Sequence, residues 1–226
     1  MPSVLVTGSN RGIGLEFVRQ YAAEGWRVHA TCRRPEAADA LNALSGDIAV
    51  HRLDVTDEAA RAALADALSG EALDLLLNNA GIYGTRQDFG AIDHDGWARV
   101  LEVNAIAPIT LAERFLPHLA RGKGRKIAFI TSQMGSIADN GSGGYYAYRS
   151  SKAALNAAVR SLAIDLAPRG IVAVLLHPGW VRTDMGGPNA RLDPETSVAN
   201  MRRMIERAGP RQSGRFLAHD GRELPW

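Results

Sequence analysis

Short apolar runs alternate with longer amphipathic segments along the whole chain. The runs at 3–7, 26–32, 48–53, 73–77, 126–131, 170–176 and 215–218 have strand length. Most are continuously apolar rather than alternating, the pattern of strands buried on both faces of a parallel sheet. Between them lie stretches with helical periodicity. Leu15, Phe17, Val18 and Tyr21 form one, which stops at Gly25. Residues 37–44 predict a second helix, and Asp57 caps a third that runs to about Leu68. A long helix is expected from Trp97 to about Leu119, kinked by Pro108, after a polar loop over 83–96. Another carries Tyr148, Lys152, Leu155, Val159, Leu162 and Leu166 to Pro168, and the last covers 194–208. Strands alternating with helices predict an α/β fold: a Rossmann-type, doubly wound parallel sheet of about seven strands with helices on both faces. The crossings are short, so residues 1–226 are expected to form a single domain.

Composition narrows the function classes. The chain has 226 residues, 46% hydrophobic and 22% charged, with a net charge of +2. Acidic and basic residues are interspersed, which implies no nucleic-acid or membrane partner. Cys32 is the single cysteine, so no intrachain disulfide can form, and a reducing compartment fits. No leader pattern and no apolar stretch of spanning length is present, and a cytoplasmic protein is expected. No metal site is predicted, because the six histidines lack an H-x-x-x-H pattern and one cysteine cannot make C-x-x-C.

The first strand runs directly into Thr7-Gly-Ser-Asn-Arg-Gly-Ile-Gly14, followed by a helix. Glycines there let the backbone approach a pyrophosphate, and the helix N-terminus offers free N–H groups and a positive dipole end. Gly8, Asn10, Arg11, Gly12, Ile13 and Gly14 are the candidate residues. The spacing is Gly-x-x-x-Gly-x-Gly, and Phe17 breaks the G-x-G-x-x-G form. The second strand ends in Cys32-Arg33-Arg34, with no acidic residue before Glu36. A carboxylate at such a strand end would hold a ribose 2′-hydroxyl; a neutral residue followed by arginine suits a 2′-phosphate. Arg33 is the candidate, with Arg11 as a second positive charge. Asp54 and Val55 end the third strand, and Asn78-Asn79-Ala80-Gly81 closes the fourth. Those small residues would let a flat adenosine or ribose lie close, while an asparagine there could equally satisfy the turn's own N–H groups.

Tyr148 and Lys152 stand four residues apart, which brings both onto one helix face. A neighbouring ammonium would lower a phenol pKa from its usual value near ~10. Such a pair can run acid–base chemistry on an alcohol or carbonyl, though in isolation Y-x-x-x-K is an ordinary helix surface. Asn104 falls among apolar neighbours in the long helix, as a site residue or as an amide bonding a nearby carbonyl. Ser132 stands at the end of the fifth strand.

In this order, Thr7-Gly-x-x-x-Gly-x-Gly14, Asp54-Val55, Asn78-Asn-Ala-Gly81, Asn104, Ser132, Tyr148-x-x-x-Lys152 and Pro178-Gly179 make the chain resemble the short-chain dehydrogenase/reductase family over essentially its whole length. The segments around Tyr148, residues 177–187 and Asp220-Gly-x-x-Leu-x-Trp226 resemble the branch holding sniffer-type carbonyl reductases and C-factor proteins. Ser132 and Tyr148 are sixteen residues apart, against a family habit of twelve or thirteen; Ser132, at the strand end, is preferred over Ser136. The resemblance implies NADP(H), preferred over NAD(H), with Asn79, Ala80, Gly81, Tyr148, Lys152, Pro178, Gly179, Val181 and Thr183 completing its site. It implies Asn104, Ser132, Tyr148 and Lys152 as the catalytic set: serine on the carbonyl, tyrosine as proton donor, lysine tuning it, and asparagine holding a water. A homodimer acting on a small carbonyl substrate is expected. An NAD-dependent alcohol dehydrogenase and an NAD(P)-binding signalling protein of the C-factor type stand as alternatives.

Overall fold

The seven apolar runs form one parallel sheet in the order β3-β2-β1-β4-β5-β6-β7. The computed structural model describes residues 1–85 and 89–226, so positions 86–88 of the loop expected after Tyr83 lie outside the described residues. The strands are β1 (Ser3–Thr7), β2 (Arg27–Cys32), β3 (Ile48–Arg52), β4 (Leu75–Asn78), β5 (Lys126–Ile130), β6 (Val172–His177) and β7 (Phe216–Ala218). Their side chains split between the faces. Leu5, Leu76, Phe129 and Leu175 join a core with α3 (Glu58–Ala67), α5 (Ala107–Arg121) and α6 (Tyr146–Leu166). Val6, Leu77, Ile130 and Leu176 join the opposite core with α1 (Gly12–Ala23) and α7 (Pro194–Arg207). Burial on both faces explains why the strands read as continuous apolar runs. The order reverses between β1 and β4, which opens a crevice at their carboxyl ends.

Two expected helices differ from the structure. The segment over 37–44 is a 3-10 turn (Pro35–Ala37) and a four-residue helix, α2 (Asp39–Asn42). Ala38 leaves the helical region between them, and Asn42 Nδ2 donates to the Pro35 carbonyl at 2.9 Å, a local bond that competes with helix propagation. The long helix starts earlier than expected, at α4 (His94–Leu101), where Asp93 caps the Gly96 amide at 2.9 Å. The expected kink at Pro108 is a π turn, Glu102–Ile106, just before the proline. Ala107 donates to the Glu102 carbonyl five residues back, and Pro108 has no N–H for the carbonyl of Asn104. The extra residue in this turn sits beside Asn104, at the edge of the crevice.

Candidate active site

The crevice begins where β1 turns into α1. Thr7 Oγ1 accepts from the amides of Asn79 and Ala80, each at 3.0 Å, and so locks the ends of β1 and β4 together. Asn79 Nδ2 donates to the carbonyls of Thr7 (2.9 Å) and Gly8 (3.1 Å). Its side chain thus serves the turn's carbonyls, rather than the N–H groups that the sequence suggested. Gly14 is fixed by space: a Cβ there would lie 2.2 Å from the Gly8 oxygen and 2.5 Å from Asn79 Nδ2. Helix α1 starts at Gly12 with no side-chain cap and no acidic residue in its first turn, which leaves its N–H groups and dipole free for an anion.

The resulting groove encloses about 300 Å³. Gly8, Asn10, Arg11, Gly12, Ile13, Gly14, Arg33, Asp54, Val55, Asn79, Ala80, Gly81, Tyr148, Lys152, Pro178 and Thr183 line it, sixteen of the eighteen positions expected around the cofactor. Gly179 and Val181 lie outside this groove and line the adjoining cavity instead. At the far end Asp54 accepts from the amide and hydroxyl of Thr56 (3.0 and 2.7 Å) and pairs with Arg99 at 3.6 Å. Burial opposes its ionisation, yet the Thr56 bonds and the arginine charges hold its pKa below the ordinary carboxylate value. Arg33 is exposed at this end. Glu36, the first acid beyond β2, pairs with Arg52 at 3.7 Å. Arg11 reaches across the mouth to Asp184 at 3.3 Å, so its charge is already engaged. Arg99 and Asp184 also line the groove, and no sequence pattern singled them out.

Tyr148 lies at the junction of the groove and a second cavity of about 480 Å³, and lines both. Ser132 opens on the second cavity, which Tyr148 also lines, and accepts the Met134 amide at 3.2 Å. Ser136 points away: its hydroxyl bonds the Trp226 carbonyl (3.3 Å) and the Asp139 amide (3.0 Å). The expected lowering of the tyrosine pKa is not what the structure gives. Burial pushes the Tyr148 phenol up to about 12; the Ser132 hydroxyl pulls it down and the Tyr83 phenol pushes it further up. Lys152 Nζ donates to the Ile130 carbonyl at 3.0 Å and stands 5.8 Å from the Tyr148 ring centroid. Burial holds its own pKa down to about 8. The spacing of four aligns the two side chains, but desolvation weakens the ammonium that was expected to tune the phenol.

Asn104 is buried and uses its whole amide. Oδ1 accepts the Ile82 amide at 2.9 Å, while Nδ2 donates to the Ile82 carbonyl (2.8 Å) and Ser151 Oγ (3.0 Å). It ties the strand-end loop to α6, and its backbone carbonyl, which Pro108 cannot bond, remains an acceptor for a water. Ser151, hidden in the sequence between the tyrosine and lysine, is the missed partner.

The second cavity is walled by Tyr83, Gln133, Met134, Arg149, His177, Trp180 and Met185 among others. Tyr145 does not line it but packs edge-on against Tyr83, with centroids 5.5 Å apart. Among the described residues, no three His, Cys, Asp or Glu side chains gather to hold a metal ion, and no helix is long and apolar enough to cross a membrane.

The model of the short chain dehydrogenase family matches residues 2–192. The C-signal of Myxococcus xanthus is 51% identical over 154 residues, which cover 68% of this chain and 93% of that protein. Among solved structures, the carbonyl reductase Sniffer of D. melanogaster superposes with a TM-score of 0.95 at 37% identity, with all of both chains covered. An NADPH-bound carbonyl reductase from chicken fatty liver gives 0.93 at 36% identity, covering 100% of this chain and 99% of that one.

Proposed function

The chain belongs to the short-chain dehydrogenase family, and from that premise we propose that it is an NADPH-dependent carbonyl reductase with Tyr148 as proton donor. The carrying observation is the position of Tyr148: a phenol shared by the groove and the adjoining cavity, with Ser132 on the wall of that cavity. The groove suits a dinucleotide. Its floor is glycine where a Cβ would strike backbone, and its helix terminus is uncapped. The turn 8–14 would hold the pyrophosphate, Asp54 and Val55 the adenine, and Arg33 the 2′-phosphate. Lys152 would bond the nicotinamide ribose, with Asn79, Ala80, Gly81, Pro178, Gly179, Val181 and Thr183 completing the site. When bound, NADPH supplies the hydride.

The chain's own residues supply the rest. Ser132 donates to the substrate carbonyl oxygen and fixes it beside the phenol. Tyr148 transfers its proton to that oxygen as negative charge develops there. The phenol carries its proton at neutral pH, as a donor to the carbonyl oxygen must. Lys152 holds positive charge beside the tyrosinate left behind, and the backbone carbonyl of Asn104 can order a water for reprotonation. The alternative with NAD is disfavoured because Glu36 is turned to Arg52. A signalling role has one observation in its favour, the identity to the C-signal protein. We also propose a cytoplasmic homodimer formed through α4–α5 and α6, where Ile106 and Ile164 are exposed.

Tyr148→Phe tests the reading. NADPH binding, followed by fluorescence, should persist, while turnover of an aldehyde and ketone panel falls by at least roughly 100-fold. Near-normal turnover by the variant would sink the assignment. Tight NADPH binding by the wild type with no hydride transfer to any carbonyl would favour signalling.

A further inference from the structure

Arg149 follows the proton donor directly and lines the substrate-side cavity, yet nothing in the reduction requires it. Its guanidinium has five N–H donors. One end donates to Ser142 Oγ at 2.8 Å and the other reaches the Met134 carbonyl at 3.5 Å, a marginal distance. Nε is buried without an acceptor. Among the described residues no carboxylate pairs with this arginine, and it is only half-exposed. Asp139, also on the cavity, is exposed at the rim and engaged by Gln133 Nε2.

The phenol of Tyr83 shares this wall. Its ring lies 4.5 Å from that of Tyr148, and its hydroxyl reaches Met134 Sδ at 3.6 Å, a weak acceptor. Tyr83 and Arg149 line the same cavity; burial raises the Tyr83 pKa, and the Arg149 charge pulls it the other way. The cavity therefore presents two polar stations. Tyr148 and Ser132 receive a carbonyl oxygen, and Arg149, on the same cavity as Tyr83, offers positive charge that no carboxylate among the described residues pairs. A guanidinium in a partly desolvated wall binds carboxylates through charge-assisted bonds.

We propose that Arg149 is a specificity-determining residue that binds an anionic group, a carboxylate in its simplest form, on the carbonyl substrate. This rests on the carbonyl-reductase reading and names its substrate class: acidic aldehydes or ketones whose carboxylate lies apart from the reacting carbon.

The experiment compares 3- and 4-carboxybenzaldehyde with their uncharged methyl esters, using NADPH and the wild-type, Arg149→Gln, Arg149→Lys and Ser142→Ala proteins. In the wild type at least one acid should exceed its ester in kcat/KM by roughly tenfold or more, the scale of a charge-assisted bond. That ratio should fall to near one in Arg149→Gln, recover in part in Arg149→Lys, and persist in Ser142→Ala, which loses the loop contact without the charge. No acid preference in the wild type, or a ratio left intact by Arg149→Gln, overturns the proposal while ester reduction leaves the reductase reading standing. Should no aldehyde be reduced, the reductase reading fails, and binding decides the arginine's role separately. In the presence of NADP⁺, 4-methylbenzoate should bind more tightly than 4-methylbenzamide by NMR titration, with the difference lost in Arg149→Gln; equal binding overturns it.

Discussion

The two cavities that meet at Tyr148 are built differently. The groove along β1 and β4 is made of main chain: Gly8 to Gly14, Ala80 and Gly81, locked by Thr7 and Asn79 bonding to backbone. The adjoining cavity is made of side chains, most of them outside the helices and strands: Tyr83, Met134, Trp180 and Met185, with Arg149 from the first turn of α6. A main-chain site tolerates almost no added atom, because its walls are fixed by the sheet. A side-chain site can be re-walled without disturbing the fold, as expected where specificity resides on loops.

Substitutions on the two sides should separate accordingly, with the largest effect on the main-chain side. In Gly14→Ala the new methyl would meet the Gly8 oxygen at 2.2 Å, and backbone cannot step aside as a flexible side chain could. We expect loss of measurable NADPH binding and about 1–3 kcal/mol of destabilisation, or more. Trp180→Ala, on the other side, should alter the KM for the carbonyl and leave NADPH affinity within about twofold. NADPH titration and thermal melts of both variants check this. If Gly14→Ala bound NADPH like the wild type, the division between the two cavities would fail.

The difference also explains what could be read from the chain. Main-chain geometry depends on glycine spacing and on where apolar runs stop, so the alternation of strands and helices and the turn 8–14 were legible. Tyr148 and Lys152 were aligned by helical spacing, but the family motifs around them were needed to single the pair out. Their electrostatics were not legible. Whether an ammonium tunes a phenol depends on how much water each retains, and here burial raises the phenol and weakens the lysine. The amide of Asn104 was ambiguous for a related reason: its partners, Ile82 and Ser151, come from other segments. The π turn beside it was visible only as a proline, and the short α2 was overestimated because Asn42 bonds back to Pro35.

Lys152 lines the groove one helical turn from Tyr148, and its burial predicts an effect of intermediate size. Its pKa in the folded protein is held to about 8, below the ordinary lysine value of 10.5. Between those values the unfolded chain binds more protons than the folded one, so this group's contribution to stability rises with pH through that window. Below about pH 8 the buried charge carries its full cost. Lys152→Met should therefore raise Tm at pH 7, by about 3 °C or more, with the gain shrinking towards pH 10 even as turnover is lost. Melting curves at both pH values test this; an equal or lower Tm at pH 7 would mean that the Ile130 bond outweighs the burial cost.

The smallest effect is expected at Arg33, an exposed side chain at the far end of the groove. It is exposed at the end of β2, with Arg11 engaged by Asp184 and Glu36 by Arg52. An exposed guanidinium is screened by solvent, so its bond to a 2′-phosphate is worth less than the buried limit. Arg33→Asp should weaken NADPH relative to NADH by about tenfold in kcat/KM, within the range of a charge-assisted hydrogen bond. Because the turn 8–14 is untouched, turnover with saturating NADH should persist. Paired kinetics with the two cofactors measure it directly. An unchanged preference would take the 2′-phosphate away from Arg33 and leave Arg11, released from Asp184, as the groove's other candidate cation for it.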